Sequence, residues 1–283
     1  MSQNRFPISS PRQLKDWINN MAKRDNLVAN TVLQNYMMER FLERVSASAY
    51  QDNFILKGGF LIAAMVGIDV RSTMDIDTTI RGVPVNQREI ERIIDEIIQI
   101  PIDDNVCFSV KSVRPIHEAG EYEDFRFSME ATFFTMRVSF KIDITTGDVV
   151  IPKEIDYSFQ LMFEERSIQV KAYNLNTILA EKIESILARN VANTRARDFY
   201  DIYILFSTRG ESIDKAELYD AVRKKAEERG TSVYLDNWEK YLQDIRQSDE
   251  LLAIWTAYQS KYAYANGIAF AEIVKLIEGV FVK

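Results

Sequence analysis

The segment LKGGFLIAAMVGIDVRSTMDID, residues 56–77, decides how this chain is read. A glycine pair, Gly58-Gly59, opens an apolar stretch over 60–67 with the character of a short helix. An alternating run follows from Ser72 to Ile80. In a strand, residues i and i+2 share a face. Met74, Ile76, Thr78 and Ile80 then line one side, and Asp75, Asp77 and Thr79 line the other. Two carboxylates on one face repel unless positive charge lies between them. A divalent cation supplies such charge, and a nucleoside triphosphate is a reason to hold one. Glycines let backbone N–H groups approach a phosphate at the positive end of a helix. Lys57 and Arg71 flank the segment as candidate phosphate contacts, Arg71 the better of the two. Taken singly, an Asp-x-Asp pair also describes an incidental solvent face, and a glycine pair an ordinary turn.

Working outward, residues 11–24 carry Leu14, Trp17, Ile18 and Met21 at helical spacing, with Pro11 after Ser10 as a start signal. A second helix is expected from about Asn26 into the forties. Residues 53–57 read as a short extended segment, and Gly82-Val83-Pro84 ends the Asp75 strand. Asn86 can cap a helix running to Gln99 on a stripe of isoleucines. Strands are expected over 106–113, 125–133 and 136–145. In the last of these Asp143 repeats the format of the first site, with acid opposite an apolar face. Three carboxylates from two strands can surround one or two metal ions, Mg2+ or Mn2+; Asp143 alone is also compatible with an acid near a turn. The period changes from 2 to 3.6 near residue 170, and the rest reads as helical. The expectation is an α+β protein. A mixed sheet with flanking helices is expected over 1–170, and a helical bundle region over 171–283.

Composition narrows the class. The chain has 283 residues, 47% hydrophobic and 27% charged, which is ordinary globular chemistry. Its net charge of −7 argues against broad binding to a nucleic-acid backbone, though a local basic cleft remains open. The single cysteine, Cys107, excludes an internal disulfide and a cysteine metal cluster, and is expected to be a buried thiol. No stretch has the length of a membrane span, and the first residues lack a signal-peptide core, so a cytoplasmic protein is expected.

The helical half holds further candidates. Lys182 and Arg189 lie seven residues apart on one expected helix and could contact phosphates, although Glu181 and Glu184 also allow surface ion pairs. Asp198 and Asp201 share a face, Arg195 and Arg197 stand beside them, and Arg197 is placed to pair with Asp201. The aromatic residues around Phe199 and most of Trp255, Tyr258, Tyr262 and Tyr264 read as core, with one of the latter able to face a nucleotide or acceptor. His117, the only histidine, cannot build a histidine metal site.

Together, KGGFLIAAM, Arg71, Ser72, Asp75-Ile76-Asp77, FKIDIT, EKIESILAR and ARDFYDIYIL resemble the AbiEii/AbiGii-type nucleotidyltransferase toxins of abortive-infection toxin–antitoxin systems. These look like distant members of the DNA polymerase β nucleotidyltransferase superfamily, so the resemblance implies a nucleotidyltransferase fold for the sheet of 1–170 and a helical domain over 171–283 that completes the nucleotide cleft. The resemblance implies that Gly59, Asp75 and Asp77 form the first motif, with glycine at 59 where the wider superfamily often has serine. It implies that Asp143 is the third carboxylate, that Lys182 and Arg189 contact the triphosphate, and that Asp198, with Asp201 beside it, supports the site or moves a proton. It further implies transfer of a nucleotide from a nucleoside triphosphate to tRNA or protein, arrest of growth or phage resistance, and a cognate antitoxin. Transfer of the γ-phosphoryl group, or noncatalytic nucleotide binding on the same fold, are the competing readings.

Overall fold

The computed structural model describes residues 8–71, 73–84, 86–116, 124–148 and 150–282; Ser72 and His117 lie outside them. The chain divides into two compact units. One comprises Met1–Asp148 with Glu154–Ala172, the other Val149–Lys153 with Tyr173–Lys283.

The first unit opens with α1 (Pro11–Arg24), capped by Ser10 through the Gln13 amide, and α2 (Ala29–Ser46). Then come β1 (Phe54–Lys57), α3 (Gly58–Val66), β2 (Asp75–Ile80) and α4 (Gln87–Ile98), capped by Asn86. The remaining strands are β3 (Val106–Pro115), β4 (Phe125–Phe133), β5 (Met136–Thr146), β6 (Ile155–Gln160) and β7 (Ser167–Ala172). They form one mixed sheet in the order β3-β4-β5-β2-β1-β7-β6. β2 runs parallel to β5 and β1 parallel to β7, while the other pairs are antiparallel.

The β6–β7 hairpin is the part of the sheet that sequence patterning does not reveal. β6 is a six-residue edge strand in which only Phe159 is buried, so its alternation is weak. Cys107 is exposed, against the expectation of a buried thiol. β3 is the opposite edge strand, and its alternation turns Val106 and Phe108 inward and Cys107 outward.

One face of the sheet packs on α2. Phe41 of α2 meets Phe108 and Phe140 at ring separations of 5.9 and 6.2 Å. Every residue of α2 from Gln34 to Val45 is buried, so this helix has no solvent face over that span. The burial includes four charged side chains. Arg40 pairs with Glu39, Glu43 and Glu164. Arg44 makes a two-pronged pair with Asp104 at 2.8 and 2.9 Å and donates to the Val106 carbonyl at 2.7 Å. A buried charge is tolerable only when paired and hydrogen-bonded. The second pair therefore fixes α2 against the chain entering β3.

The second unit is helical: α5 (Leu175–Arg189), α6 (Ala196–Arg209), α7 (Lys215–Glu228), α8 (Ser232–Asp236), α9 (Trp238–Gln247), α10 (Asp249–Lys261) and α11 (Phe270–Phe281). Asn174 caps α5 and Asp214 caps α7. Phe199, Tyr200, Ile202 and Leu205 of α6 are core, as is Trp255, whose indole N–H reaches the Ile268 carbonyl at 3.0 Å.

Replacing Arg44 with Ala leaves Asp104, 1% exposed, without its counter-charge. The expected loss is about 3–5 kcal/mol of unfolding free energy, read by urea denaturation; a loss below 1 kcal/mol would contradict the anchoring role.

Candidate active site

Strand register assembles the first constellation. Lys57 of β1 pairs with Asp77 of β2, Asp77 with Asp143 of β5, and Asp143 with Arg126 of β4. Paired residues on neighbouring strands point to the same side. A single row across four strands therefore reads Lys–Asp–Asp–Arg, on the face opposite Ile76 and Ile142. Asp75, two residues before Asp77, lies on this same face.

The glycine pair is fitted to Asp77. Gly58 has φ +64°, and a Cβ there would stand 2.6 Å from the Asp77 carboxyl carbon. No other residue combines that backbone with that clearance. The Gly59 N–H donates to Asp77 Oδ2 at 3.3 Å, so this amide is spent on the carboxylate rather than left open for a phosphate. A Cβ on Gly59 would meet the Arg71 guanidinium at 2.8 Å and the Thr73 hydroxyl at 2.9 Å. Those two groups fill the space that a serine side chain would take.

Arg71 is accordingly only 2% exposed. It underlies the glycine turn instead of lying open to a phosphate, as the sequence had suggested. Thr73 donates to Asp75 Oδ1 at 2.7 Å. Two buried amides of α2 hold the approach to β2: Asn35 donates to the Thr73 carbonyl at 2.9 Å and Gln34 to the Met74 carbonyl at 2.8 Å. Lys57 is also committed. Its ammonium pairs with Asp148 and donates to the Thr145 hydroxyl at 2.7 Å.

Arg126 is the member of the row that sequence reading missed. It grips both oxygens of Asp143 at 2.7 and 2.6 Å. Its only sequence signal was its place on the polar face of an alternating strand, which becomes meaningful once the β4–β5 register is known. Among the described residues, no group of three or more Asp, Glu, His or Cys side chains has the geometry of a metal site. Asp143, the third of the expected carboxylates, is held by Arg126. The donor chemistry nonetheless suits a hard divalent ion. Burial pushes the Asp77 carboxyl up to about 6, and Asp75 and Asp143 push it further, against the Gly59 N–H and Lys57. A cation among these oxygens would relieve that crowding.

The second unit holds the other expected residues. Lys182 lies between two carboxylates, 2.6 Å from Asp198 and 2.9 Å from Asp201. Its charge is thus shared by two acids. Arg197, expected to pair with Asp201, instead reaches the Tyr262 hydroxyl at 3.4 Å. Arg189 ends α5, and its pKa lies below the usual guanidinium value through burial and the nearby charge of Arg195.

The fold recurs in a solved structure. MenT4, a nucleotidyltransferase toxin from Mycobacterium tuberculosis H37Rv, superposes with a TM-score of 0.54 at 11% identity, over 96% of this chain and 99% of that one. JHP933 from Helicobacter pylori gives a TM-score of 0.47 at 12% identity, over 88% and 89%. No curated protein sequence matches at significance. The fold, with paired acids on a strand beside a glycine turn, is that of a nucleotidyltransferase. The model of the AbiEii family, nucleotidyl transferase toxins of type IV toxin–antitoxin systems, matches residues 40–275, and the chain belongs to that family. Membership makes it a nucleotidyltransferase toxin and implies a nucleoside triphosphate substrate and an antitoxin partner. Among the described residues, no helix is long and apolar enough to cross a membrane.

The raised Asp77 pKa has a signed consequence for stability. The folded protein holds this proton more tightly than the unfolded chain. The metal-free protein therefore loses stability through this group as pH rises from about 4 to about 6, and the cost persists above that. Asp77→Asn is expected to be more stable than the parent at pH 7.5 by about 1–3 kcal/mol, with the gap closing towards pH 4. Denaturant titrations across pH in EDTA check this; equal stabilities at pH 7.5 would refute it. Gly58→Ala is expected to fold but to displace Asp77.

Proposed function

We propose that this toxin moves a nucleoside monophosphate from a nucleoside triphosphate to an acceptor hydroxyl, with a divalent metal bound at Asp75 and Asp77. The placement of Asp75, Asp77 and Asp143 on one face of two paired strands carries this reading, with the Asp77 carboxyl raised first by burial and then by its two acidic neighbours, a crowding that a cation would relieve. When bound, Mg2+ or Mn2+ would offset charge building on the α-phosphoryl group and on departing pyrophosphate. The acceptor oxygen forms the new bond to the α-phosphorus, the bond from the α-phosphorus to the bridging oxygen breaks, and pyrophosphate leaves.

The side chains divide the remaining work. Thr73 orients Asp75, and the Gly59 amide orients Asp77. Asp143 is the carboxylate available to join them or to take the acceptor proton, once Arg126 yields one of its oxygens. Lys182 with Asp198 and Asp201 forms a preorganised ion triad that would contact the triphosphate or relay a proton, with Arg189 as a further cation for phosphate. The acceptor is tRNA or protein. Growth arrest, reversed by a cognate antitoxin and serving abortive phage infection, is the proposed outcome, and the protein is proposed to act in the cytoplasm.

Parallel incubations with α- and γ-labelled triphosphates, Mg2+, total RNA and total protein test the reaction. The α label is expected to appear on the acceptor and the γ label in pyrophosphate. Retention of the γ label on the acceptor would replace nucleotidyl with phosphoryl transfer. Asp77→Ala is expected to cut α-label transfer by at least about 100-fold while circular dichroism stays unchanged. Full transfer by that folded variant would sink the assignment.

A further inference from the structure

The second unit contains a cavity of about 500 Å³ between the start of α6 and the end of α10. It is lined by Arg195, Arg197, Asp198, Tyr258, Lys261 and Tyr262. That volume suits a single nucleotide and is too small for a duplex. The charge arrangement is unusual for a protein of net charge −7. None of Arg195, Arg197 and Lys261 forms an ion pair with a described residue. Arg195 and Lys261 are exposed, and the cavity's one carboxylate, Asp198, is already tied to Lys182 through Oδ1. Three cations therefore line the cavity beside a single carboxylate that is already paired.

The aromatic wall narrows the ligand. Tyr262 stacks on Tyr264 with ring centroids 5.3 Å apart and 20° between planes, and it also meets Tyr258 at 4.7 Å. Arg197 and Lys261 lie 6.0 and 5.3 Å from the Tyr262 ring centroid. Burial raises the Tyr262 pKa, yet the hydrogen bond and charge of Arg197, with the charge of Lys261, outweigh it and bring the pKa below its ordinary value. A half-buried ring thus lies in a positive field within the wall of the cavity. An acidic peptide would use the cations and leave the rings idle.

We propose that this cavity binds a nucleoside phosphate, the base against Tyr262 and the phosphate among Arg195, Arg197 and Lys261. Sequence-tolerant binding of single strands joins the same two elements, a cationic groove and aromatic stacking. The ligand is either a free mononucleotide or the terminal residue of a single strand, and in the second case the cavity would hold the acceptor. It rests on the transferase reading only for that role. Binding is therefore measured in EDTA on the full-length Asp77→Ala protein, where failure of the transfer chemistry has no effect.

Two probes separate the sources: a fluorescein-labelled pentaribonucleotide followed by anisotropy, and the four ribonucleoside monophosphates followed by calorimetry. At least one is expected to bind. Tyr262→Ala should weaken binding about 10-fold or more, and Tyr262→Phe should stay within about twofold because the stacking face is kept. For the oligonucleotide, Lys261→Ala should lower the salt slope by about 0.7. Arg195→Glu changes an exposed residue and should weaken binding even if Tyr262→Ala is poorly folded. Binding of the oligonucleotide alone assigns the strand end, and binding of a monophosphate assigns the free nucleotide. Failure of both probes to bind, or full affinity in folded Tyr262→Ala and Arg195→Glu, would overturn the proposal. So would equal binding of an oligoglutamate peptide insensitive to Tyr262→Ala.

Discussion

The parallel pairing of β2 with β5 is the constraint on which the site depends. It sets Asp77 directly beside Asp143 on one face of the sheet. Like charges at neighbouring positions are unfavourable, so the row is closed at both ends by cations, Lys57 and Arg126. Arg126 answers Asp143 by a two-pronged grip, the strongest form such a pair takes. Asp77 has no equally direct cation, since Lys57 is turned to Asp148. What remains for it is one backbone amide and a raised pKa. The least satisfied carboxylate of the row is thus the one under which the glycine turn is built, as expected where stability is spent on function.

A second layer fixes this arrangement from behind. α2 carries its polar residues inward, and each has a particular task. Asn35 and Gln34 hold the two carbonyls before Asp75. Arg44 ties the helix to the entry of β3, and Arg40 ties it to Glu164. Hydrophobic packing through Phe41 brings the helix to the sheet but allows sliding, whereas these directional contacts set its position. The turn at Gly59 shows the same economy. This chain puts Arg71 and Thr73 into the space that a side chain at position 59 would take, and Thr73 in turn orients Asp75.

Much of the fold was legible. Alternation marked β2 through β5 nearly to the residue, and Ser10 and Asn86 marked where helices begin. These are local signals with a local cause, the match between side-chain period and a buried face. β6 and β7 were not legible. They are short, and β7 joins the sheet by parallel pairing with β1 across more than a hundred residues of chain, which leaves no local trace. The burial of α2 was hidden for a related reason. Its charges find partners in Asp104 and Glu164, which lie far away along the chain.

The sequence by itself determined the helices, the strands other than β6 and β7, and the acids at 75, 77 and 143, because alternation and motif spacing are properties of neighbours along the chain. Only the tertiary structure decided what each charge faces. It placed Arg126 on Asp143, Lys57 on Asp148, and Lys182 between Asp198 and Asp201, and it sank Arg71 beneath the glycine turn. It also turned Cys107 to solvent and left three cations unpaired around Tyr262. An ion pair forms where strand register and helix packing bring two side chains within reach, and that distance is set by residues far away in sequence.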